Sequence, residues 1–250
     1  MIQPAISLIV TRCEQVSDDL LSRYFDLLSD EERQRNQRYH FAQDRRRDLI
    51  ARALLRTQLA ERLSSEPQSL IFTRGKHGKP ALVSSDPSAS YLQFNLSHAG
   101  DWIVLALAGK PVGVDIEYTP RDNDVMAIAD RYFFGNEINQ LKSFNKDEQR
   151  QRFFDYWTLK EAYMKARGEG ISLGLNNFGF SVVDSQNISI EMRPCLNDSP
   201  LDWQFLLGTP DPDYRLALAI NSDVKPSLHC YECIPFKSIN SLEGLDRLFK

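Results

Sequence analysis

The stretch that decides the fold is GKPVGVDIEYTPR, residues 109–121, which follows the apolar run WIVLALAG of residues 102–109. Asp115 and Glu117 stand two residues apart in it, and side chains at i and i+2 point to the same face of a strand. Two close carboxylates repel, and the pKa of one rises unless a positive charge lies between them. Mg²⁺ would resolve the repulsion, because it binds carboxylate oxygens and substrate phosphates. A solvent-exposed strand end, with water screening both charges, explains the pair equally well.

Length and composition are those of an ordinary soluble globular protein. The 250 residues suffice for one large domain or two small ones, and 42% of them are hydrophobic. The net charge of −4 argues against a general nucleic-acid-binding protein. The apolar stretch ISLIV (6–10) is too short to span a bilayer, and no cationic segment precedes it. We therefore expect a cytoplasmic protein that binds neither nucleic acid nor membranes.

The cysteines include one CxxC pair, Cys230 and Cys233, in the segment LHCYECIPF. A zinc site would need two further well-placed ligands, and only His229 is near. The segment has the pattern of a strand, so we predict ordinary packed thiols.

Helix and strand patterns are mixed without regular βαβ alternation, which predicts an α+β fold. Predicted helices cover 29–37, with a Ser29–Glu32 capping box, 44–63, about 124–132, 135–143, and 147–167, ending before Gly168. Predicted strands lie within 69–83, 91–109 and the GVDIE segment, followed by five short strands in FGFSVVD, ISIEMRP, LDWQFLLG, YRLALAI and SLHCYECI. No repeat is visible in the letters. The turn at 109–113 divides the chain best, which predicts an N-terminal half, 1–110, and a C-terminal half, 111–250.

The long helix carries three residues of interest on one face. Trp157, Glu161 and Lys165 follow one another at intervals of four residues. A solvated Glu–Lys pair is the ordinary explanation and contributes little. Trp157 and the surrounding aromatic residues indicate that this face points inward, where Glu161 needs Lys165 or a metal as partner. The GxG of the following GEGISLGL comes after a helix, so it is not a nucleotide-binding fingerprint.

Four segments in order resemble the signature of the Sfp-type 4′-phosphopantetheinyl transferases. They are GKHGKP (75–80), FNLSHAGDW (94–102), GVDIE (113–117) and WTLKEAYMKARGEG (157–170). The resemblance spans about residues 30–180. It implies two similar α+β halves in a pseudo-twofold arrangement, with coenzyme A in the cleft between them. It also implies transfer of the phosphopantetheine arm of coenzyme A to a serine of an apo carrier protein, with release of adenosine 3′,5′-bisphosphate.

The resemblance assigns roles to the acidic residues. Asp115, Glu117 and Glu161 match the family's metal ligands, here for Mg²⁺, which would neutralise charge on the breaking pyrophosphate. Glu161 is in position to accept the serine proton, directly or through a metal-bound water. Lys165 would stabilise the departing phosphate or donate a proton. Lys160 also matches the motif, with orientation of Glu161 as its candidate role.

The resemblance also implies a set of contacts to coenzyme A. Lys79, Ser97 and His98 match family positions directly, and Arg47 is placed near the nucleotide ahead of Arg52. Arg35 lies near a family basic position that contacts the ribose phosphate. Lys76 lies close to Lys79 and would add charge there, with a solvated loop lysine as the alternative. The ordinary alternative for Ser97 and His98 is that they only form hydrogen bonds with backbone groups at a strand end. The ordinary alternative for each arginine is a surface charge. Glu32 stands where relatives often carry a second basic residue, so the contacts to the 3′-phosphate stay open.

Two other functions remain open at this point. A metal-dependent phosphohydrolase would share the carboxylates and the basic cluster but would need no carrier protein. A non-catalytic protein that binds coenzyme A or a carrier would tolerate loss of the acidic residues, all of which are present. The segment RYFFGNEINQL (131–141) is a candidate carrier-docking surface, with core packing as the alternative for Phe133 and Phe134. A monomer is the simpler expectation, since a two-half chain can complete the cleft alone.

Overall fold

The computed structural model describes residues 3–84, 89, 91–242 and 248–249, which form an α+β fold. The α-helices in this part of the chain are α1 (Asp18–Asp26), α2 (Asp30–Gln37), α3 (Ala42–Leu63), α4 (Val125–Tyr132), α5 (Gly135–Ser143) and α6 (Lys146–Arg167). The strands up to the predicted division are β1 (Ala5–Arg12), β2 (Ile71–Arg74), β3 (Pro80–Val83), β4 (Gln93–Ala99) and β5 (Trp102–Ala108). The strands after it are β6 (Val112–Tyr118), β7 (Phe178–Val182), β8 (Ile188–Met192), β9 (Trp203–Gly208), β10 (Tyr214–Asn221), β11 (Ser227–Ile234) and β12 (Ser238–Ser241).

The two halves of the chain repeat one order of elements. In the first, β1 is followed by the long helix α3, the hairpin β2–β3, and then β4 and β5. In the second, β6 is followed by the long helix α6, the hairpin β7–β8, and then β9 and β10. Each half forms an antiparallel sheet with the same neighbours, β1–β5–β4 and β6–β10–β9. The predicted α+β class with two similar halves is therefore confirmed.

The last strands of the chain join the sheet of the first half. β11 pairs in parallel with β1, and β12 pairs with β11, so the sheet order is β12–β11–β1–β5–β4. The division at residue 110 separates the two repeated units. β11 and β12 follow the second unit in the sequence but belong to the sheet of the first unit. The boundaries 1–110 and 111–250 stay a prediction.

The core has three apolar layers, and strand alternation explains them. On β5, Ile103 and Leu105 face a cluster shared with α3, whereas Val104 and Ala106 face a cluster shared with the second sheet. β5 is thus buried on both faces, which is why its sequence is a continuous apolar run. A third cluster packs α6 against the second sheet. The layers run α3, first sheet, second sheet, α6.

The CxxC residues are packed thiols, as predicted. Cys230 lies in the cluster between the sheets and Cys233 in the cluster under α3, on opposite faces of β11. Burial raises the pKa of each thiol to about 11. Within the described ranges, no helix has the length and apolar character needed to cross a membrane.

Candidate active site

The site forms where α6 lies against β6. Val112, Val114 and Ile116 face the core between the sheets, so the alternate positions of β6 face α6. Gly113 permits close contact, because a Cβ there would lie 2.0 Å from the Ala162 carbonyl oxygen. Asp115, the next residue on that face, therefore comes directly beneath the helix.

A cleft of about 440 Å³ opens between β4, β6, α3 and α6. Most of the polar residues predicted for the site line it, namely Arg52, Ser97, His98, Asp115, Glu117, Glu161 and Lys165. They come from both halves of the chain, so the cleft lies where the halves meet.

Asp115 is the most buried acidic group of the cleft, with 5% of its side chain exposed. Its Oδ1 accepts hydrogen bonds from Ser97 Oγ at 2.9 Å and Lys165 Nζ at 2.5 Å. Among the residues that the structure describes, its buried Oδ2 has no hydrogen-bond partner. An unpartnered buried carboxylate oxygen is costly, so this atom is a point at which the cleft lacks positive charge or a donor.

Glu117 has a partner on each oxygen. Trp157 Nε1 donates to Oε1 at 3.0 Å, and the Arg121 guanidinium lies 2.6 Å from Oε2. Burial and the nearby charge of Asp115 raise the pKa of Glu117, against the opposing effect of Arg121. The repulsion expected between the two carboxylates is thus present.

Glu161 enters the cleft from α6 on the same face as Trp157 and Lys165. Burial, and then repulsion by Asp115, raise the pKa of Glu161 to about 7. Among the described residues, no hydrogen bond or ion pair involves its carboxylate. Glu161 is therefore a carboxylate that can hold or release a proton near neutral pH.

The three carboxylates fit a divalent cation by their chemistry. All three line the cleft, repulsion raises the pKa values of Glu117 and Glu161, and Asp115 leaves a buried oxygen without a partner. Oxygen ligands of this kind are those Mg²⁺ takes. In the part of the chain that is described, no three His, Cys, Asp or Glu side chains are drawn together tightly enough to count as a preformed metal cluster. Lys165 and Arg121 instead neutralise two of the carboxylates.

Ser97 and Asn95 join the two halves at the cleft. Both lie on the same face of β4, at i and i+2, and both are buried. Asn95 Oδ1 accepts from the Val114 backbone N–H at 2.9 Å, and Ser97 Oγ accepts from the Ile116 N–H at 3.3 Å. Ser97 Oγ also accepts from Lys165 Nζ at 3.0 Å. Its hydroxyl proton goes to Asp115, and a contact of Ser97 with a coenzyme A phosphate stays a prediction.

His98 lies on the opposite face of β4 from Ser97 and is exposed at the rim of the cleft. Partial desolvation of the ring, and then the charges of Arg47 and Lys165, lower its pKa. A neutral imidazole at this rim can both donate and accept hydrogen bonds.

The predicted basic residues separate into groups. Arg52 lines the main cleft, and Arg35 and Arg52 both line an adjoining cleft of about 690 Å³. Asp48 is the carboxylate near both, at 3.9 Å from Arg35 and 3.8 Å from Arg52. The buried Arg35 NH2 has no hydrogen-bond partner in the described part of the chain. Arg47 lies apart, donating to the Gly100 carbonyl at 2.8 Å and to Asp44 at 2.9 Å.

Neither predicted lysine of the GKHGKP turn is among the residues that line the main cleft. Lys79 Nζ donates to the carbonyl oxygens of Ala166, at 3.1 Å, and Val112, at 3.4 Å, so it links the end of α6 to the start of β6. Burial lowers the pKa of Lys79 to about 8. Lys76 is exposed in the turn. Contacts of either lysine with coenzyme A stay predictions.

Two other predicted residues have structural roles. Lys160 is fully buried and contacts Glu137 at 2.9 Å and the carbonyl oxygens of Leu175 and Phe178, so it does not orient Glu161 by direct contact. Phe133 is 4% exposed and stacks on Phe153, so core packing is the correct alternative for it.

Glu32, the departure from the family pattern, is also accounted for by internal contacts. It completes the predicted capping box with Ser29, and its Oε2 pairs with the buried Arg56 at 2.6 Å. Its charge is therefore already neutralised within the protein.

Sequence reasoning missed the partners of the site residues. Arg121 stands four residues after Glu117 in the first quoted stretch, and this spacing was the available signal. Asn95 stands two residues before Ser97, which on a strand places both side chains on one face. Trp157 was predicted to face inward, but its hydrogen bond to Glu117 was not.

Comparison with known proteins gives a consistent result over most of the chain. Residues 111–219 match the model of the 4′-phosphopantetheinyl transferase superfamily, and residues 15–110 match the 4′-phosphopantetheinyl transferase N-terminal model. The chain is 30% identical over 203 residues to the 4′-phosphopantetheinyl transferase Sfp of Bacillus subtilis, covering 81% of this chain and 86% of the relative. It is 40% identical over 192 residues to the 4′-phosphopantetheinyl transferase psf-1 of Bacillus pumilus, covering 76% and 78%. It is 32% identical over 194 residues to the 4′-phosphopantetheinyl transferase HetI of a Nostoc species, covering 77% and 78%.

Proposed function

Because the chain belongs to the 4′-phosphopantetheinyl transferase superfamily and is a transferase of that kind, we propose that its cleft binds coenzyme A and directs the phosphopantetheine arm onto a serine of an apo carrier protein. The observation that carries this proposal is the set of charged groups in the cleft where the two halves meet. The cleft is lined by two carboxylates from β6, and by one carboxylate and one ammonium group from α6.

The reaction exchanges one phosphorus–oxygen bond for another. The serine oxygen attacks the phosphorus that bears the pantetheine arm, and the pyrophosphate bond on its other side breaks. Adenosine 3′,5′-bisphosphate leaves with the bonding electrons, and the serine proton must go to a base. Glu161 can accept that proton, because it lines the cleft and, within the described residues, no hydrogen bond or ion pair involves its carboxylate.

Lys165 supplies positive charge beside the acidic groups. Its ammonium contacts Asp115 and Ser97, and 29% of its side chain is exposed toward the cleft. An ammonium in this position stabilises the charge that develops on the pyrophosphate as the bond breaks.

Asp115, Glu117 and Glu161 are the residues that would hold Mg²⁺, whose charge would neutralise the pyrophosphate oxygens. The buried free oxygen of Asp115 supports this assignment. Arg52 and Arg35, which line the adjoining clefts, are the basic groups best placed for the nucleotide phosphates.

One chain supplies the whole cleft, which supports action as a monomer. The cysteines are free, which is consistent with a reducing cytoplasmic location. Neither feature selects the carrier protein, which can belong to fatty-acid, polyketide or peptide synthesis.

The test uses the purified protein with coenzyme A, Mg²⁺ and a panel of apo carrier proteins. We expect the carrier to gain the mass of the phosphopantetheine arm, measured by mass spectrometry, and the serine-to-alanine carrier to stay unmodified. No mass gain on any carrier would overturn the proposal. Consumption of coenzyme A without a carrier would instead identify a phosphohydrolase.

Asp115→Asn is the matching variant of the enzyme. It keeps the size of the side chain and removes its charge, so we expect turnover to fall at least about a hundredfold. Coenzyme A binding, measured by calorimetry, should change far less. Full activity of the variant would remove Asp115 from the proposed metal site.

A further inference from the structure

The carboxylate oxygens of the cleft differ in what occupies them. Asp115 Oδ2 has no partner and Glu161 makes no hydrogen bond within the described residues, so these groups are open to a cation. Glu117 already carries a contact on each oxygen, Trp157 Nε1 on Oε1 and the Arg121 guanidinium on Oε2. Each carboxylate oxygen can accept more than one contact, so a cation can bind beside the Trp157 donor. It would, however, meet the positive charge of Arg121, which lies 2.6 Å from Oε2.

Arg121 is the partner that can leave. Half of its side chain is exposed, at 50%, whereas the indole of Trp157 stacks against Phe133 and Phe153. Glu117 itself is mostly buried, with 14% of its side chain exposed, so its charge needs a partner, and a divalent ion would supply the positive charge that the departing guanidinium removes. Lys165, by contrast, is held by both Asp115 and Ser97.

The backbone that carries Arg121 is held by hydrogen bonds, whereas half of its side chain is exposed. The Arg150 guanidinium, on α6, donates to the carbonyl oxygens of Thr119 at 2.8 Å and Asn123 at 3.2 Å, and to that of Arg121. The segment is thus attached to the helix that carries Glu161. A change of the Arg121 rotamer would move the charge without moving the strand or the helix.

We propose that Arg121 is a displaceable counter-cation that neutralises Glu117 in the metal-free protein and withdraws when a divalent cation binds. This inference rests on the proposed metal role of Glu117. Arg121 then lowers the affinity of the site for a divalent cation, because the cation must compete with the positive charge of the guanidinium. It is a positioning residue, since it acts through Glu117.

The test measures binding of Mn²⁺ by calorimetry to the full chain without coenzyme A, so that turnover is not involved. In Arg121→Gln the competing charge is gone, and we expect Mn²⁺ to bind at least about threefold more tightly, because the ion no longer meets a guanidinium 2.6 Å from Oε2. Arg121→Lys keeps a cation and should stay close to the wild type. Arg23→Gln is the matched control, because Arg23 is an exposed arginine that is not among the residues lining the cleft.

A second measurement covers the case in which Arg121→Gln is poorly folded. Without a competing guanidinium the metal-free variant should melt at a lower temperature than the wild type, and Mn²⁺ should raise its melting temperature by more. Equal or weaker Mn²⁺ affinity in a folded Arg121→Gln protein would overturn the role of Arg121 and leave the metal site standing. Absence of Mn²⁺ binding in the wild type and both variants would overturn the metal site and this inference together.

Discussion

The Ser97 hydroxyl donates a hydrogen bond to Asp115 Oδ1 at 2.9 Å and so connects the edge strands of the two sheets. Ser97 also accepts from Lys165 Nζ at 3.0 Å. One hydroxyl thus fixes a carboxylate and an ammonium that come from different elements of the second half. The active arrangement depends on a residue of the first half that the reaction need not touch.

Ser97→Ala should therefore lower kcat more than it raises KM for coenzyme A. Loss of a hydrogen bond that orients a site carboxylate reduces activity about 10- to 100-fold. Steady-state kinetics with a carrier protein would measure both constants. A large rise in KM with unchanged kcat would instead indicate that Ser97 contacts a phosphate of the substrate.

Asn95→Ala is the matched control for that variant. Asn95 also bridges β4 and β6, but it accepts from the Val114 backbone N–H and contacts neither Asp115 nor Lys165 through a hydrogen bond. We expect it to lower the free energy of unfolding by about 1–3 kcal/mol, because it leaves a buried donor unpaired, and to leave kcat nearer the wild-type value.

Gly113→Ala should disrupt both stability and activity. Its Cβ would lie 2.0 Å from the Ala162 carbonyl oxygen and 2.5 Å from the Ala166 nitrogen, so α6 would have to move away from β6. We expect a loss of about 3 kcal/mol in chemical denaturation, together with loss of turnover. Gly109→Ala is the control, since among the described residues its Cβ would meet only the Tyr91 carbonyl oxygen, at 3.8 Å. If Gly113→Ala were as stable as Gly109→Ala, the close packing of α6 on β6 would be refuted.

Lys79 predicts a pH dependence of stability. Burial lowers its pKa to about 8, below the value of 10.5 for an exposed lysine, so the unfolded chain binds a proton that the folded chain has lost over this interval. Stability from this group therefore rises as the pH rises from about 8 to about 10.5. The free energy of unfolding of the wild type should therefore rise relative to that of Lys79→Met as the pH increases across that range. A constant difference would contradict the buried amine.

The same variant tests whether Lys79 contacts coenzyme A. A lysine that only joins Ala166 to Val112 affects the melting temperature and leaves the affinity for coenzyme A unchanged. A lysine that also binds a phosphate lowers that affinity severalfold when it is replaced. Calorimetry with coenzyme A on folded Lys79→Met protein separates the two roles.

The buried Lys160–Glu137 pair predicts a non-additive effect on stability. Both side chains are fully buried at a distance of 2.9 Å. Lys160→Met leaves the Glu137 charge without its partner and should cost about 3–5 kcal/mol, whereas Lys160→Met with Glu137→Gln should recover part of that loss. Urea denaturation of the single and double variants gives the coupling energy. Simple additivity would mean that the two groups do not interact.

The sequence was informative wherever periodicity or a motif decides the position of a side chain. The spacing of Trp157, Glu161 and Lys165 placed all three on one helix face, and the structure brings that face to the cleft. The capping box of Ser29 and Glu32 marked the start of α2 correctly. The long helix ends at Gly168, whose φ of 70° suits glycine.

What sequence could not supply were contacts between distant segments. Lys160 stands next to Glu161 in the motif, yet its side chain points to Glu137, because adjacent helix positions face different directions. The pairing of Glu117 with Arg121 depends on the path of the irregular segment after β6. The helix α1 and the strands β1 and β12 were not predicted; β12 has only four residues, and its pairing with β11 is a tertiary contact.

The parallel pairing of β1 with β11 has a consequence for how the chain is made. β1 acquires its neighbour β11, Ser227–Ile234, only after the whole second repeated unit that lies between them in the chain has been synthesised. Until then the edge of β1 that pairs with β11 stays open to other partners. Completion of the first sheet therefore waits for synthesis of the second unit, and loss of β11 and β12 would damage the sheet of the first half.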